Sequence, residues 1–422
     1  MLKKDSAARQ CRRNLSGGWV KVLRRLAPAL ALVVMVFQAA PALAADAARS
    51  AEDASGAVNL FAFDLYKTLT SENVFFSPYS VSSAMAMLYA GASGDAEREL
   101  RGVMHYADGI HESMGSLSSA ITGETPATLL VANAIWPDMT MELTPSYLQT
   151  VREYYGVDVT RFDFKKNWLA AEDAINKWVY EKTLGEISSL FEKNSLAPKG
   201  SLSTAIVLTN AVYFKSDWLN SFEAGKTKED RFFGKTAEKN VPMMYMKGYL
   251  DHAQSEEFAM IRLPYKGRTH SMTVILPNRD KGIDAFEREF SHAEYLEYVS
   301  MLKTREMIVY LPKFDLDQTF DLVDAFKKMG LESVFKPSRD NFSNMGRTND
   351  NLPLAVSKIV HKAKVKVYEE GTVAAAATGI GMVTATSLRE PPPVFRADHP
   401  FIFFITDDRT GAILFMGRYA QP

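Results

Sequence analysis

From Ile359 to Tyr368 the chain alternates strictly. Ile359, His361, Ala363, Val365 and Val367 fall on one face, and Val360, Lys362, Lys364, Lys366 and Tyr368 on the other. A period of two predicts a strand with one face on a core. Thr204 to Phe214 is almost wholly apolar, the pattern of a strand in the middle of a sheet. Further strands are expected at 127–136, 257–264, 270–277 and 306–314. Phe401–Ile405 and Ala412–Met416 flank Asp407-Asp408-Arg409-Thr410-Gly411, which has the turn chemistry of a hairpin.

Helical spacing takes over between these runs. Val58, Phe61, Ala62 and Leu65 begin the folded part. Ser77 can N-cap a helix with Pro78 at its first position, Val81, Ala84, Met85 and Leu88 form its buried stripe, and Gly91 can end it. Asp95 opens another with Leu100 and Val103. Ile175, Trp178 and Val179 mark a third, closed by Gly185. A helix is also expected from Gln318 to Met329, with Leu322, Phe326 and Met329 on one side and Gly330 beyond. Strands and helices come in blocks rather than in regular alternation, which indicates an α+β fold. A chain of 422 residues suggests two or three domains by length alone, yet no linker, repeat or low-complexity break divides it.

One stretch fits none of these patterns. Gly371 to Leu388 carries no charge, and small residues dominate it: Thr372, Val373, the run Ala374, Ala375, Ala376 and Ala377, then Thr378. The alanines favour helix, but Gly371, Gly379 and Gly381 interrupt one. Reversal of the chain near Gly371 would bring this stretch back beside the alternating strand. Either of its faces could then enter a sheet at little desolvation cost.

Polar residues inside apolar strands need partners. Asn210 lies within Thr204–Phe214 and His361 on the apolar face of the later strand. Unpartnered, each would cost roughly 1–3 kcal/mol.

At the N-terminus, eight Lys or Arg precede an apolar run, Leu26 to Ala45, broken by Pro28 and Pro41. Ala42-Leu43-Ala44 is a small-x-small cleavage signal, so residues 1–44 are expected to be a signal peptide of a secreted or periplasmic protein. A retained membrane anchor is the alternative. That leader holds eight of the 49 basic and one of the 50 acidic residues, which leaves residues 45–422 at −8 (41 against 49). No basic block suits nucleic acid. The single cysteine, Cys11, lies in the leader, so disulfides, thiol catalysis and thiolate metal sites are not expected in the mature chain. No G-x-S-x-G, H-E-x-x-H or phosphate loop occurs. Ser333-Val334-Phe335-Lys336 fits S-x-x-K without a supporting motif, and the seven histidines do not pair at metal-ligand spacing. Neither an enzyme nor a cofactor or metal is expected.

Gly371 to Thr378 resembles the reactive-centre-loop hinge of an inhibitory serpin. Asn73-Val74-Phe75-Phe76-Ser77-Pro78-Tyr79-Ser80-Val81, Leu208-Thr209-Asn210-Ala211-Val212-Tyr213-Phe214-Lys215, Asp398-His399-Pro400-Phe401 and Phe415-Met416-Gly417-Arg418 are similar to family signatures in the same order. The resemblance covers roughly residues 55–420. It implies one domain over 45–422, with a large central mixed sheet, additional sheets, surrounding helices and an exposed loop at about 369–393. It also implies a polar cluster of Ser77, Ser80, Asn210 and His361 where the central sheet opens, with Trp218 under the top of the opening. Trp218 reads equally as a plain core aromatic. The hinge would comprise Glu369, Glu370 and Gly371 to Thr378. Val373 stands where many inhibitory members carry Glu, on the outward-facing set.

What the resemblance implies functionally is a monomeric suicide inhibitor of a serine, or alternatively cysteine, protease, with no membrane partner once the signal is removed. Family spacing puts the cut bond at Ala385–Thr386, which favours an elastase-like or subtilisin-like target. The distance from Gly371 to Pro400 is about four residues longer than in compact members, which leaves Leu388–Arg389 and Arg389–Glu390 as alternatives. A non-inhibitory serpin fold acting as a binding or chaperone-like protein is the competing reading. The intact run Ala374–Ala377 and a first proline as late as Pro391 favour inhibition.

Overall fold

The computed structural model describes residues 47–123, 125–157, 159–198, 206–372 and 391–422. The leader, with its expected cleavage site, lies outside them. Helix α1 (residues 47–68) is followed by β1 (Val74–Phe76), α2 (Pro78–Gly91), α3 (Gly94–Val103) and α4 (Ile110–Thr122). Next come β2 (Thr128–Pro137), β3 (Met141–Leu143), α5 (Pro145–Tyr155), α6 (Trp168–Lys182) and β4 (Ile206–Asp217). A block of strands succeeds them: β5 (Lys228–Phe233), β6 (Glu238–Gln254), β7 (Phe258–Pro264) and β8 (His270–Pro277), closed by α7 (Ile283–Glu289) and α8 (His292–Ser300). The last part holds β9 (Lys303–Pro312), β10 (Phe314–Asp321), α9 (Val323–Lys328), β11 (Gly346–Thr348), β12 (Val356–Val367), β13 (Gly371–Thr372), β14 (Val394–Arg396), β15 (Phe401–Asp407) and β16 (Ile413–Tyr419).

The apolar strands sort into two large sheets. One runs β1-β16-β15-β8-β7-β6-β9-β14, with β5 beside β6. The other runs β10-β12-β4-β2, and β13 lies against the end of β4. β11 and β3 form a separate pair. A continuous apolar core fills the space around both sheets, and a smaller one packs α6 on the far face of β2 and β4. The alternation in β12 sorts its residues between these surroundings. Ile359, Ala363, Val365 and Val367 enter the main core, Val360 joins the smaller one, and the lysines lie half-buried over the same face. Residues Ala51–Pro422 make one compact unit.

The strand order gives β12 two unlike edges. β10 runs antiparallel to it, with Asp315 opposite Lys366 and Asp317 opposite Lys364. Lys362 pairs with Asp317 at 3.3 Å and Lys358 with Asp321 at 3.0 Å, a ladder of charge along that edge. β4 runs parallel to β12, and there Lys362 and Lys364 meet Ala211 and Tyr213. Among the described residues no ion pair crosses the β4–β12 seam. A single parallel ladder, slightly weaker per residue than an antiparallel one, joins β4 to β12.

The expected helix from Gln318 to Met329 is corrected. Gln318, Thr319 and Phe320 belong to β10, in register with Ala363, Lys362 and His361. Only Val323–Lys328 is helical. Phe314 and Leu316 alternate with Asp315 and Asp317, and the free edge of β12 supplies a ladder that outweighs local propensity. The expected strand 306–314 likewise divides at Lys313 into β9 and β10, which belong to different sheets.

Asp317→Asn combined with Asp321→Asn removes the carboxylates of both ion pairs along the charged edge. Each is nearly half exposed, so the expected loss is about 0.5 kcal/mol per pair. Amide exchange should accelerate in β10 and stay unchanged in β2. Equal acceleration in both strands would contradict the asymmetry of β12.

Candidate functional site

The start of α2 straddles the β4–β12 seam. Ser77 has extended backbone, and its side chain accepts from the Ser80 N–H at 3.1 Å, while Pro78 occupies the first turn, where no N–H is needed. This cap leaves the Ser77 N–H free to donate across the core to His361 Nε2 at 3.0 Å. On its other side, His361 Nδ1 donates to Asn210 Oδ1 on β4. The Asn210 amide donates to Ser80 Oγ at 2.6 Å and to Asn133 Oδ1 on β2. Ser80 Oγ donates to Asn133 Oδ1 at 2.9 Å, and Asn133 Nδ2 returns a bond to the Ser80 carbonyl at 3.1 Å. Sheet register makes this possible, because Asn133, Asn210 and His361 stand side by side on three neighbouring strands.

The predicted Ser77, Ser80, Asn210 and His361 are thus brought into one buried network. Asn133 is a fifth member that sequence reasoning missed. Its signal was available: an amide inside an otherwise apolar strand, the same anomaly that exposed Asn210. His361 is fully buried, and burial pushes its pKa down to about 3, only partly opposed by the bond to Asn210. The ring is therefore neutral, a donor at Nδ1 and an acceptor at Nε2.

Beyond the network the seam changes character. The parallel β4–β12 pairing ends at Tyr213 opposite Lys364. The chain then turns back, with paired Tyr368–Gly371 backbone bonds of 2.9 and 3.2 Å. Gly371 and Thr372 lie antiparallel on Asp217 and Ser216 of β4. Trp218 is buried beneath this turn. Its indole donates to the Tyr368 carbonyl at 2.9 Å, its backbone N–H to Glu370 at 2.8 Å, and its ring stacks on Tyr265 at 4.5 Å. Glu369 is buried. Burial opposes its ionisation, but Lys313 at 2.7 Å and the Thr227 hydroxyl at 2.7 Å outweigh that and hold its carboxyl below the usual range. Lys313 and Thr227 gave no signal in the sequence, since each is an ordinary polar residue until the turn folds onto it.

Of the predicted hinge, Glu369, Glu370 and Gly371 sit in this turn together with the backbone of Thr372. Val373 to Thr378 and the candidate bonds at Ala385–Thr386, Leu388 and Arg389 lie outside the described residues. The far side of that segment is described again at β14, which runs parallel to β9 in the other sheet. Ser333 donates to Glu99 at 2.6 Å and Lys336 bonds Glu332, so the S-x-x-K match does not bring lysine to serine.

The comparisons agree with this geometry. The family model Serpin (serine protease inhibitor) matches residues 56–422, and the chain belongs to the serpin family. It is 36% identical over 384 residues to an uncharacterized serpin-like protein of Methanosarcina mazei, covering 88% of each chain. It is 35% identical over 389 residues to the leukocyte elastase inhibitor of Bos taurus, covering 88% of this chain and 100% of that one. Among solved structures it is similar to native protease nexin-1 with heparin, with TM-score 0.78, 28% identity and coverage of 89% and 100%. It also shares its fold with the thermophilic serpin tengpin in the native state, with TM-score 0.79, 23% identity and coverage of 87% and 93%.

Two outcomes follow from this site. Between pH 6.5 and about 3 the unfolded chain takes up a proton at His361 that the folded chain refuses. Stability present above pH 6.5 is therefore lost as pH falls, by at most about 1.4 kcal/mol per unit from this group. Denaturation midpoints at pH 7 and pH 5 should fall more in wild type than in His361→Gln; equal falls would assign the acid sensitivity elsewhere. At Gly371, an added Cβ would lie 2.3 Å from the Ser216 carbonyl oxygen and 2.4 Å from Asp217 Cα. Gly371→Ala should expel β13 from the end of β4, seen as faster exchange at Trp218 and Phe222, whose N–H groups bond Glu370 and Glu369. Unchanged protection there would show that the turn does not depend on this close approach.

Proposed function

We propose that this chain is a suicide-substrate inhibitor of serine proteases whose favoured target has a small pocket, elastase-like or subtilisin-like. The observation that carries the reading is β13. Gly371 and Thr372 already lie antiparallel on β4, past the point where β12 stops pairing with it. A strand continuing from Thr372 would run down the seam antiparallel to both β4 and β12. The resemblance of the bovine leukocyte elastase inhibitor supports the choice of target.

In this reading the protease serine attacks the Ala385 carbonyl, Thr386 leaves as a new amino terminus, and an ester joins enzyme to loop. Released at one end, residues from Thr372 onward enter the seam and draw the acyl-enzyme with them before water can hydrolyse the ester. One parallel ladder is exchanged for two antiparallel ones. At about 1 kcal/mol net per backbone bond, a strand of roughly ten residues gains on the order of 10 kcal/mol. The intact form is then metastable.

The protein mixed with elastase, subtilisin, chymotrypsin and trypsin in turn, and run on denaturing gels, should give a band at the summed mass with at least one of them. The mass of the released C-terminal peptide should place the cut after Ala385, with Leu388 and Arg389 as the alternatives. Clean cleavage without that band, and without a rise in thermal stability, would overturn inhibition and favour the non-inhibitory binding reading.

A further inference from the structure

Three connections of the large β1–β16 sheet meet around a cavity of about 430 Å³. They are the turn from β5 to β6 at Gly234 and Lys235, the link from β8 to α7 at Arg279 to Gly282, and the link from β14 to β15 at His399 and Pro400. The volume suits a small molecule. Phe233, Ile283, Ala285 and Pro400 supply apolar lining. The polar groups differ in how far they are already committed. Lys235 holds Asp284, the one carboxylate among the described lining residues, at 2.6 Å. Lys281 is shared between Glu257 at 2.8 Å and Glu289 at 2.9 Å. The ring nitrogens of His399 lie against Asp398 at 2.8 Å and the Pro277 carbonyl at 2.9 Å.

Arg279 and Arg288 are left. Both are exposed, and neither makes a hydrogen bond or an ion pair to a described residue. Arg279 is nevertheless fixed in place, because its guanidinium stacks on the Phe233 ring at 3.6 Å. Stacking occupies the face of a guanidinium and leaves its in-plane N–H groups open. Held this way, the side chain has less rotamer freedom to lose when a partner arrives. Two uncommitted guanidinium forks on one cavity match a doubly charged tetrahedral oxyanion, which offers acceptors to both, better than a single carboxylate.

We infer that this cavity binds a phosphate monoester. Its dianionic head lies on Arg279 and Arg288, and the small organic body of the ester covers the apolar lining. Inorganic phosphate shares the head and lacks the body, so it binds at the same place more weakly. The site is remote in kind from the turn at Gly371, and its occupancy is read without a protease, so it stands or falls apart from inhibition.

The probe is phenyl phosphate, titrated into the full chain by calorimetry at pH 8, where the ester is a dianion (second pKa about 6). Saturable one-to-one binding is expected. Inorganic phosphate should bind at least threefold more weakly, and benzenesulfonate, the same ring with one charge, at least tenfold more weakly. Arg279→Gln and Arg288→Gln should each weaken phenyl phosphate about tenfold, the scale of one charge-assisted bond, with an unchanged denaturation midpoint because both side chains are exposed. Lys228→Gln removes the same charge from an exposed position outside the cavity and should leave binding unchanged. Bound phenyl phosphate should also slow amide exchange at Phe233 and Lys235, whose N–H groups donate to the Asp398 and Ala420 carbonyls beside the cavity, at least threefold. No saturable binding below about 1 mM, an equal loss in Lys228→Gln, or binding of long dextran sulfate without phenyl phosphate would overturn the site. Binding without slowed exchange at either amide would place the ligand elsewhere and overturn it too. Equal affinity for phosphate and phenyl phosphate would overturn the role given to the ester body.

Discussion

The hydrogen bond from His361 to Asn210 ties β12 to β4 in the interior of the large mixed sheet, and the buried polar network is built around it. It crosses the edge of β12 that, among the described residues, no ion pair reinforces. α2 sets its geometry from below, through Ser77 on the β12 side and Ser80 on the β4–β2 side. In the proposed mechanism, a strand entering the seam would separate His361 from Asn210 while α2 keeps hold of both neighbours. The network is therefore a latch and also a hinge pin. Leaving a buried polar pair unsatisfied costs about 1–3 kcal/mol per group, whereas completing the sheet gains on the order of 10 kcal/mol. The latch cannot decide which state is the more stable. It can decide how readily the seam opens.

The charge pattern assigns the moving parts. An antiparallel ladder of eight residue pairs joins β10 to β12, and two Lys–Asp ion pairs run along the same edge. Lys364 adds a bond to the Glu186 carbonyl at 3.1 Å, tying β12 to the segment after α6. On the other side, β2 pairs along its whole length with β4, from Ile206 to Lys215. The sheet is thus built as two antiparallel pairs joined by one parallel seam, and the turn at Glu369–Gly371 sits past the end of that pairing. Glu369, anchored by Lys313 and Thr227, fixes where the returning chain begins, and the absence of a side chain at Gly371 lets it approach the β4 backbone.

Much of this was legible before folding, and the reason differs from element to element. β12 could be read from strict alternation, β4 from its unbroken apolar run, and α2 from Ser77 and Pro78, because in each the local pattern and the tertiary environment ask for the same thing. Asn210 and His361 stood out as polar residues at buried positions. Asn133 obeys the same rule and could have been found by it. β10 could not be read as a strand beyond Phe314. Gln318 to Met329 has helical spacing, and only the vacant edge of β12 makes its first four residues extended. Glu369 was placed in the hinge by resemblance, but its partners come from two distant stretches, and no local pattern announces Lys313 or Thr227.

The same comparison explains why the seam had to be read from structure. Alternation showed that lysines occupy one face of β12, and it left both edges looking alike. Strand order makes them different: aspartates arrive on one side, an apolar parallel strand on the other. A row of lysines that would ordinarily count as a solvated face becomes, through its neighbours, the feature that makes the two edges of β12 unlike. Sequence supplies the charges, but their role follows from which strand each one meets. That is why the polar network, the charged edge and the glycine at the turn have to be considered as one mechanical unit rather than as three separate motifs.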